Sequence, residues 1–297
     1  MRTVGNRSAG FTIVETLIVL AVSGMLAISA ISLVNGRQNK TQFQVAATSM
    51  KQQIEQLINE TASGYYPSSN NFTCSSSSGS VTISSGAGGQ GTNSTCIFLG
   101  KAVAFGVGPT GADRESFIVY PLVGKRFDGT STREVSTFAQ AKPLALAPST
   151  GGVGNLSGID YSTTYKTKNG LSLHYADYIE SGTLASLGKS NYVVFALADQ
   201  LGQYQAQADG TLNSATQKLD LFEMDKLAGW AAFPAVPTSS RTVVDLINLR
   251  GIDTKVIEKL NLCFNSGTTN QSALITISGR GQLSVTLKIY GKADCIS

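Results

Sequence analysis

The chain has one histidine, one tryptophan and seven prolines in 297 residues, and only 14% of it is charged. Each scarcity removes a class of function. His174 stands alone in Leu173-His174-Tyr175, a strand-edge context in which an imidazole is structural or exposed rather than catalytic. No GxSxG, HExxH or Walker loop occurs, and the glycine-rich stretch 86–91 lacks the lysine and following helix of a phosphate site. Asp160, Asp177, Glu180 and Asp199 are scattered without the spacing of an EF-hand. Net charge is +4, and it falls to +2 without Arg2 and Arg7. That balance makes no electrostatic case for nucleic acid. The basic residues enriched over 241–292 have no interleaved aromatics for base stacking. Composition therefore predicts no enzyme, no cofactor, no metal and no nucleic-acid partner. Trp230, beside Phe233 and Pro234, is expected as a packing anchor.

Four cysteines are present, Cys74, Cys96, Cys263 and Cys295, with no CxxC pair. Zinc is disfavoured by the single histidine. An even set of well-spaced cysteines behind a membrane-targeting segment reads as two disulfides outside the cytosol. Three pairings are possible. Local loop closure favours Cys74–Cys96 and Cys263–Cys295, each stabilising by about 3–4 kcal/mol in the chain-entropy model. Four buried free thiols are the alternative.

What is abundant is apolar residue, 42% of the chain, and its longest run lies at residues 11–34. At 1.5 Å per residue this run is long enough to cross a bilayer core of about 30 Å. Arg2 and Arg7 precede it, so the positive-inside rule keeps the first residues cytoplasmic and sends everything after Val34 outside. A secretory signal would have an apolar stretch of about 7–15 residues and a small-residue cleavage site, which Ala27-Ile28-Ser29-Ala30 imitates. Here the run is too long, continues through Ile31, Leu33 and Val34, and carries Glu15. A carboxylate inside a membrane segment costs about 3 kcal/mol on insertion scales. Such a residue needs a partner.

A basic leader, Gly10, and then Phe11-Thr12-Ile13-Val14-Glu15-Thr16-Leu17-Ile18-Val19-Leu20 resemble the class III signal of type IV pilins and pseudopilins. The resemblance implies that a prepilin peptidase cuts between Gly10 and Phe11 and methylates the new amino terminus of Phe11. It implies that Glu15 pairs with the terminal ammonium of a neighbouring subunit. That pairing would offset desolvation and set axial register, because a misaligned neighbour leaves a buried charge unpaired. The implied partners are the peptidase, other pilin subunits packed helix to helix, the inner-membrane assembly platform, and membrane lipid before assembly. Small residues such as Ala21, Ser23, Gly24, Ala27 and Ser29 allow close helix approach. Many pilins have a proline about twenty residues into the processed helix; this chain has none before Pro67, leaving Gly24 and Gly36 as the weak points.

Beyond the apolar run, Phe43, Ala47, Met50, Ile54, Leu57 and Ile58 recur at spacings of three and four, one stripe of a helix. Gly64 is a stop signal. The expected organisation is a cleaved leader over 1–10, one long helix over 11–63 with its membrane part at about 11–34, and an extracytoplasmic β-rich head over 64–297. The fold class is α+β, a long helix packed on an antiparallel sheet.

In the head, strands are expected at 80–84, 96–107, 116–127, 171–175, 191–197, 259–264, 273–278 and 282–290, with 242–249 ambiguous. Residues 75–78 and 84–95 are low-complexity and expected as exposed loops. Residues 128–158 are expected as a mobile connection dividing the head into two lobes. Residues 260–267, 273–279 and 282–290 are similar to the closing strands of minor-pseudopilin heads, which implies a terminal β-hairpin with glycines in its turn. A head of this size points to a minor pilin or pseudopilin. A pilus-borne adhesin, using the 128–158 and 203–217 loops, is the alternative.

Overall fold

A computed structural model describes residues 12–63, 72–77, 80–85, 96–105, 115–127, 135, 138–147, 161–180, 183–186, 193–199, 219–224, 252–267, 269–279, 282–292 and 295. The expectations for Trp230, for 203–217 and for 242–249 lie outside these residues. The fold is α+β, with an apolar amino-terminal helix, a second short helix and antiparallel sheets. The chain divides into two compact units, Met1–Gln42 and Phe43–Ser297.

Helix α1 spans Ile13–Ala62 and passes through Gly24 and Gly36 without a break. Its last twenty residues belong to the second unit. There Phe43, Ala46, Ala47, Met50, Ile54, Leu57 and Ile58 are all buried, so the three-and-four spacing is the buried stripe. Thr61 stays among them because its hydroxyl donates to the Leu57 carbonyl at 2.7 Å.

Among the described residues three sheets follow. The small one pairs β1 (Phe72–Ser77) with β2 (Ser80–Ser85). This corrects the expectation of an exposed loop at 75–78: Ser75, Ser76 and Ser77 pair with Thr82, Val81 and Ser80. The large sheet contains β3 (Cys96–Phe105), β4 (Ser116–Lys125), β5 (Leu144–Ala145), β6 (Thr163–Lys166), β9 (Val193–Asp199), β10 (Leu219–Met224) and β11 (Ile252–Ile257). Its order is β11-β10-β9-β3-β4-β5, with β6 also on β4. The third sheet has the order β14-β13-β12-β7-β8, made from β7 (Leu171–Glu180), β8 (Thr183–Ser186), β12 (Lys259–Ser266), β13 (Thr269–Ser278) and β14 (Ser284–Tyr290).

The central strands β3, β4 and β9 of the large sheet are buried on both faces, which explains why they are apolar at nearly every position. Val103, Phe105, Phe117, Val119, Phe195 and Leu197 share one core with the α1 stripe and with Leu260, Leu262, Phe264, Ile275 and Ile277 of the third sheet. Phe105 is the hub: its ring centroid lies 5.0 Å from Phe117, 6.4 Å from Phe195 and 6.0 Å from Phe264. The alternate residues Ala102, Ala104, Tyr120, Leu122, Ala196 and Ala198 form a second core with Ala141, Ala145 and Ala147. Residues 138–147, expected within a mobile connection, are therefore packed: α2 (Phe138–Ala141) and β5 supply them, and Leu144 and Leu146 are buried as well. The small alanines let this layer approach closely. At Gly124 a Cβ would meet the Ala141 carbonyl at 2.6 Å and Leu99 at 2.5 Å.

Two local departures keep the central strands in register. Gly100 has φ of +148° at a bulge in β3, and a Cβ there would lie 2.0 Å from the Leu197 carbonyl oxygen of β9. Pro121 is in mid-β4, where a missing N–H ordinarily breaks a ladder. It falls in the gap where the outer partner of β4 changes from β6, paired with residues 116–119, to β5, paired with residues 122–123.

Candidate assembly site

The first unit carries the acidic residue around which the sequence turns. Within Ile13–Ala30, long and apolar enough by length and composition to cross a membrane, Glu15 is the one charged side chain. None of that window is buried against the chain's own residues. Ile13 is 80% exposed and Leu20 69%. Two hydroxyls in the window bond to the helix itself: Thr16 donates to the Ile13 carbonyl at 2.8 Å, and Ser29 to the Met25 carbonyl at 2.9 Å. Such back-bonding removes hydroxyls from an apolar solvent at small cost. Gly24 has open space where a Cβ would stand, so no contact with the described residues demands a glycine there.

Glu15 lies in the first turn of α1, where the helix dipole favours an anion. Its backbone N–H donates to Thr12 Oγ1 at 3.3 Å, while the Thr12 backbone N–H and hydroxyl both face Glu15 Oε2 at 3.4 Å. This is a reciprocal capping box, with Thr12 as the N-cap and Glu15 three residues on. The sequence carries the signal for this in Thr12-x-x-Glu15, the capping spacing at a helix start. Gly10 and Phe11 lie outside the described residues, so the processing point has no geometry here.

Residues 5–31 match the family model of the prokaryotic N-terminal methylation motif. That match is consistent with a class III signal of the type IV pilin-like kind. No curated protein and no solved structure matches the chain. Together, the motif and the exposed apolar helix fit a membrane-anchored, pilin-like protein.

In the second unit, the charged side chain of Lys101 on β3 points into the core and meets Glu60 of α1 in an ion pair. Their side chains are 6% and 23% exposed. Gln56 Nε2 donates to the other Glu60 oxygen at 2.7 Å. Burial pushes the Glu60 carboxyl up, but hydrogen bonds from Lys101 and Gln56 and the Lys101 charge together hold it below its ordinary value. Tyr165 stacks on Phe117 at 4.9 Å, and burial first, then the Glu60 charge, raises its phenol. An acidic residue in the last turns of a helix opposes the dipole, so Lys101 offsets that cost as well as its own burial.

Cys263 and Cys295 form a disulfide with an S–S distance of 2.00 Å, closing 32 residues of the carboxyl-terminal sheet. Cys96 is also disulfide-bonded, and the Cys74 side chain lies outside the described residues. His174 sits within β7 at a bulge opposite Cys263 and Phe264, edge-on to Tyr175 at 5.6 Å. Among the described residues no group of three or more His, Cys, Asp and Glu is placed to hold a metal ion.

Proposed function

We propose that this protein is a non-enzymatic minor pilin or pseudopilin, a structural subunit of a type IV pilus or related secretion filament. The observation that carries this reading is the methylation motif lying over Ile13–Ala30 of α1, an apolar stretch of which none is buried by the chain's own residues. Prepilin peptidase cleaves between Gly10 and Phe11 and methylates Phe11. The subunit then waits in the inner membrane with lipid around residues 11–34 and its head outside, until the assembly platform passes it into the filament. There Glu15 meets the terminal ammonium of the next subunit. In a helix bundle from which water is excluded, this pairing is far stronger than at a wet surface, and it also fixes register. Two disulfides, Cys74–Cys96 and Cys263–Cys295, brace the exported head.

The test has two parts. Amino-terminal sequencing with mass measurement of the exported protein should find N-methylated phenylalanine at Phe11. Glu15→Val should remain membrane-inserted and disappear from sheared filaments. A mature chain beginning near Ser29 or Ala30 would replace this reading with ordinary signal-peptidase export.

A second reading, a surface adhesin, draws on the outer face of the third sheet, where Ser172, Asp177, Asn261, Asn265 and Thr276 form a polar array. Ser172 bonds Asn265 at 3.0 Å and Thr276 bonds Asn261 at 2.9 Å. Substitutions on this face that abolish cell or surface binding while filaments stay intact would favour it.

A further inference from the structure

We propose that Thr12 is the positioning residue for Glu15: it holds the carboxylate at the helix N-terminus in the free subunit and yields it to the neighbour's ammonium on assembly. This rests on the assembly role proposed for Glu15. The argument comes from how the carboxylate is held. Both donors from Thr12, its N–H and its hydroxyl, converge on Oε2 at 3.4 Å. Oε1 receives no donor among the described residues. The Thr12 hydroxyl is used twice, donating to Oε2 and accepting the Glu15 N–H at 3.3 Å.

Such a hold has two physical consequences. It gives a carboxylate in an apolar segment partial satisfaction within its own chain, so the unassembled subunit does not leave the charge bare. The contacts are also long against the 2.7–3.2 Å of ordinary N–H···O bonds, whereas an ammonium–carboxylate pair closes to about 2.7–2.9 Å. A terminal ammonium arriving at Oε1, which has no donor among the described residues, therefore outcompetes Thr12 without first having to remove a strong bond from it. The side chain is pre-set for capture and weakly enough held to be captured.

The experiment compares Thr12→Val, which keeps shape and loses the hydroxyl, with Thr12→Ser, which keeps the hydroxyl, and with Glu15→Val, all in the full chain in cells that process it. Mass measurement of the mature amino terminus reports cleavage and methylation. The fraction of subunit in sheared filaments reports assembly. Backbone amide exchange at Glu15 in detergent micelles reports the cap. Thr12→Val should lower the assembled fraction roughly fivefold and speed Glu15 amide exchange by a similar factor, the equilibrium weight of an ordinary N-cap. Thr12→Ser should restore both, and Glu15→Val should abolish assembly. Wild-type assembly by a correctly processed Thr12→Val, with Glu15→Val still inactive, overturns the role of Thr12 and leaves that of Glu15 standing. Assembly by Glu15→Val overturns both. If Thr12→Val is not cleaved, the exchange measurement on the uncleaved chain decides: unchanged exchange at Glu15 overturns the proposal, and faster exchange reversed by Thr12→Ser supports it.

Discussion

In the first unit the consecutive residues Leu17, Ile18, Val19 and Leu20, which point to all sides of α1, are exposed; in the second, Phe43, Met50, Ile54 and Leu57 of the same helix are buried. Both stretches are apolar, and they differ in how the apolar residues are arranged. Residues 43–62 form one stripe with polar residues behind it, the pattern of a helix completed by its own chain. Residues 13–30 are apolar all round, the pattern of a helix that needs a second apolar solvent, whether lipid or other helices. Glu15 is the acidic residue of the first stretch, and Glu55 and Glu60 those of the second. Glu60 has its cation, Lys101, within the chain. Among the described residues Glu15 has only a weak local hold from Thr12.

Removing the hub of the core should separate the two stretches most sharply. Phe105→Ala should destabilise the second unit by about 3–5 kcal/mol, read from urea denaturation of the detergent-solubilised chain. Leu20→Ala, an equally apolar loss in the first unit, should move that transition by less than about 0.5 kcal/mol. A comparable loss from Leu20→Ala would mean that the first unit is completed by its own chain after all. Next in size is the disulfide. Replacing Cys263 and Cys295 together by serine should cost about 3–4 kcal/mol for a loop of 32 residues, again read from the urea midpoint.

The buried pair should respond asymmetrically. Glu60→Gln leaves the almost wholly buried Lys101 charge without its anion, and about 3 kcal/mol is expected. Lys101→Met should cost less, about 2 kcal/mol, because Glu60 keeps part of its side chain in water and retains Gln56. The double variant Glu60→Leu with Lys101→Met should recover most of the loss. Equal single costs would show that the pair acts as a surface bridge instead.

Some of this was readable in advance. The six-residue stripe on α1 and the central strands β3 and β4 announced themselves because burial of one helix face, or of both sheet faces, writes a period or a continuous run into the sequence. Serine-rich β1 did not, because its strand state comes from the partner β2 and not from its own propensity. Exposed β6, with Thr163, Thr164, Tyr165 and Lys166, carries no apolar alternation either. Residues 138–147, with Pro143 inside them, looked like a linker; their alanines are what a thin second layer requires. Lys101 and Glu60 stand 41 residues apart, a distance at which no local spacing rule operates. Thr12 was the one omission whose signal was present, since Thr-x-x-Glu at a helix start is a local rule.

The smallest expected effect concerns pH and again sets the two carboxylates apart. Glu60 has its folded-state pKa held below its ordinary value of 4.5. A depressed carboxyl contributes stability that is fully present above the unfolded value and is lost as pH falls through the folded one. Between pH 7 and about 5 this pair should therefore leave the urea midpoint flat, and below 4.5 the midpoint should decline as Glu60 takes up a proton and Lys101 loses its anion. Tyr165 works at the other end of the scale: its raised phenol contributes stability below its ordinary value of 10.0, lost as pH rises through the folded value. Glu60→Gln should remove part of the acid slope and weaken the alkaline one, since the Glu60 charge is one of the two causes acting on Tyr165. Glu15→Val should leave both slopes of the second unit's transition in place. An acid slope unchanged by Glu60→Gln would assign it to other carboxylates and reduce the ion pair to a packing contact.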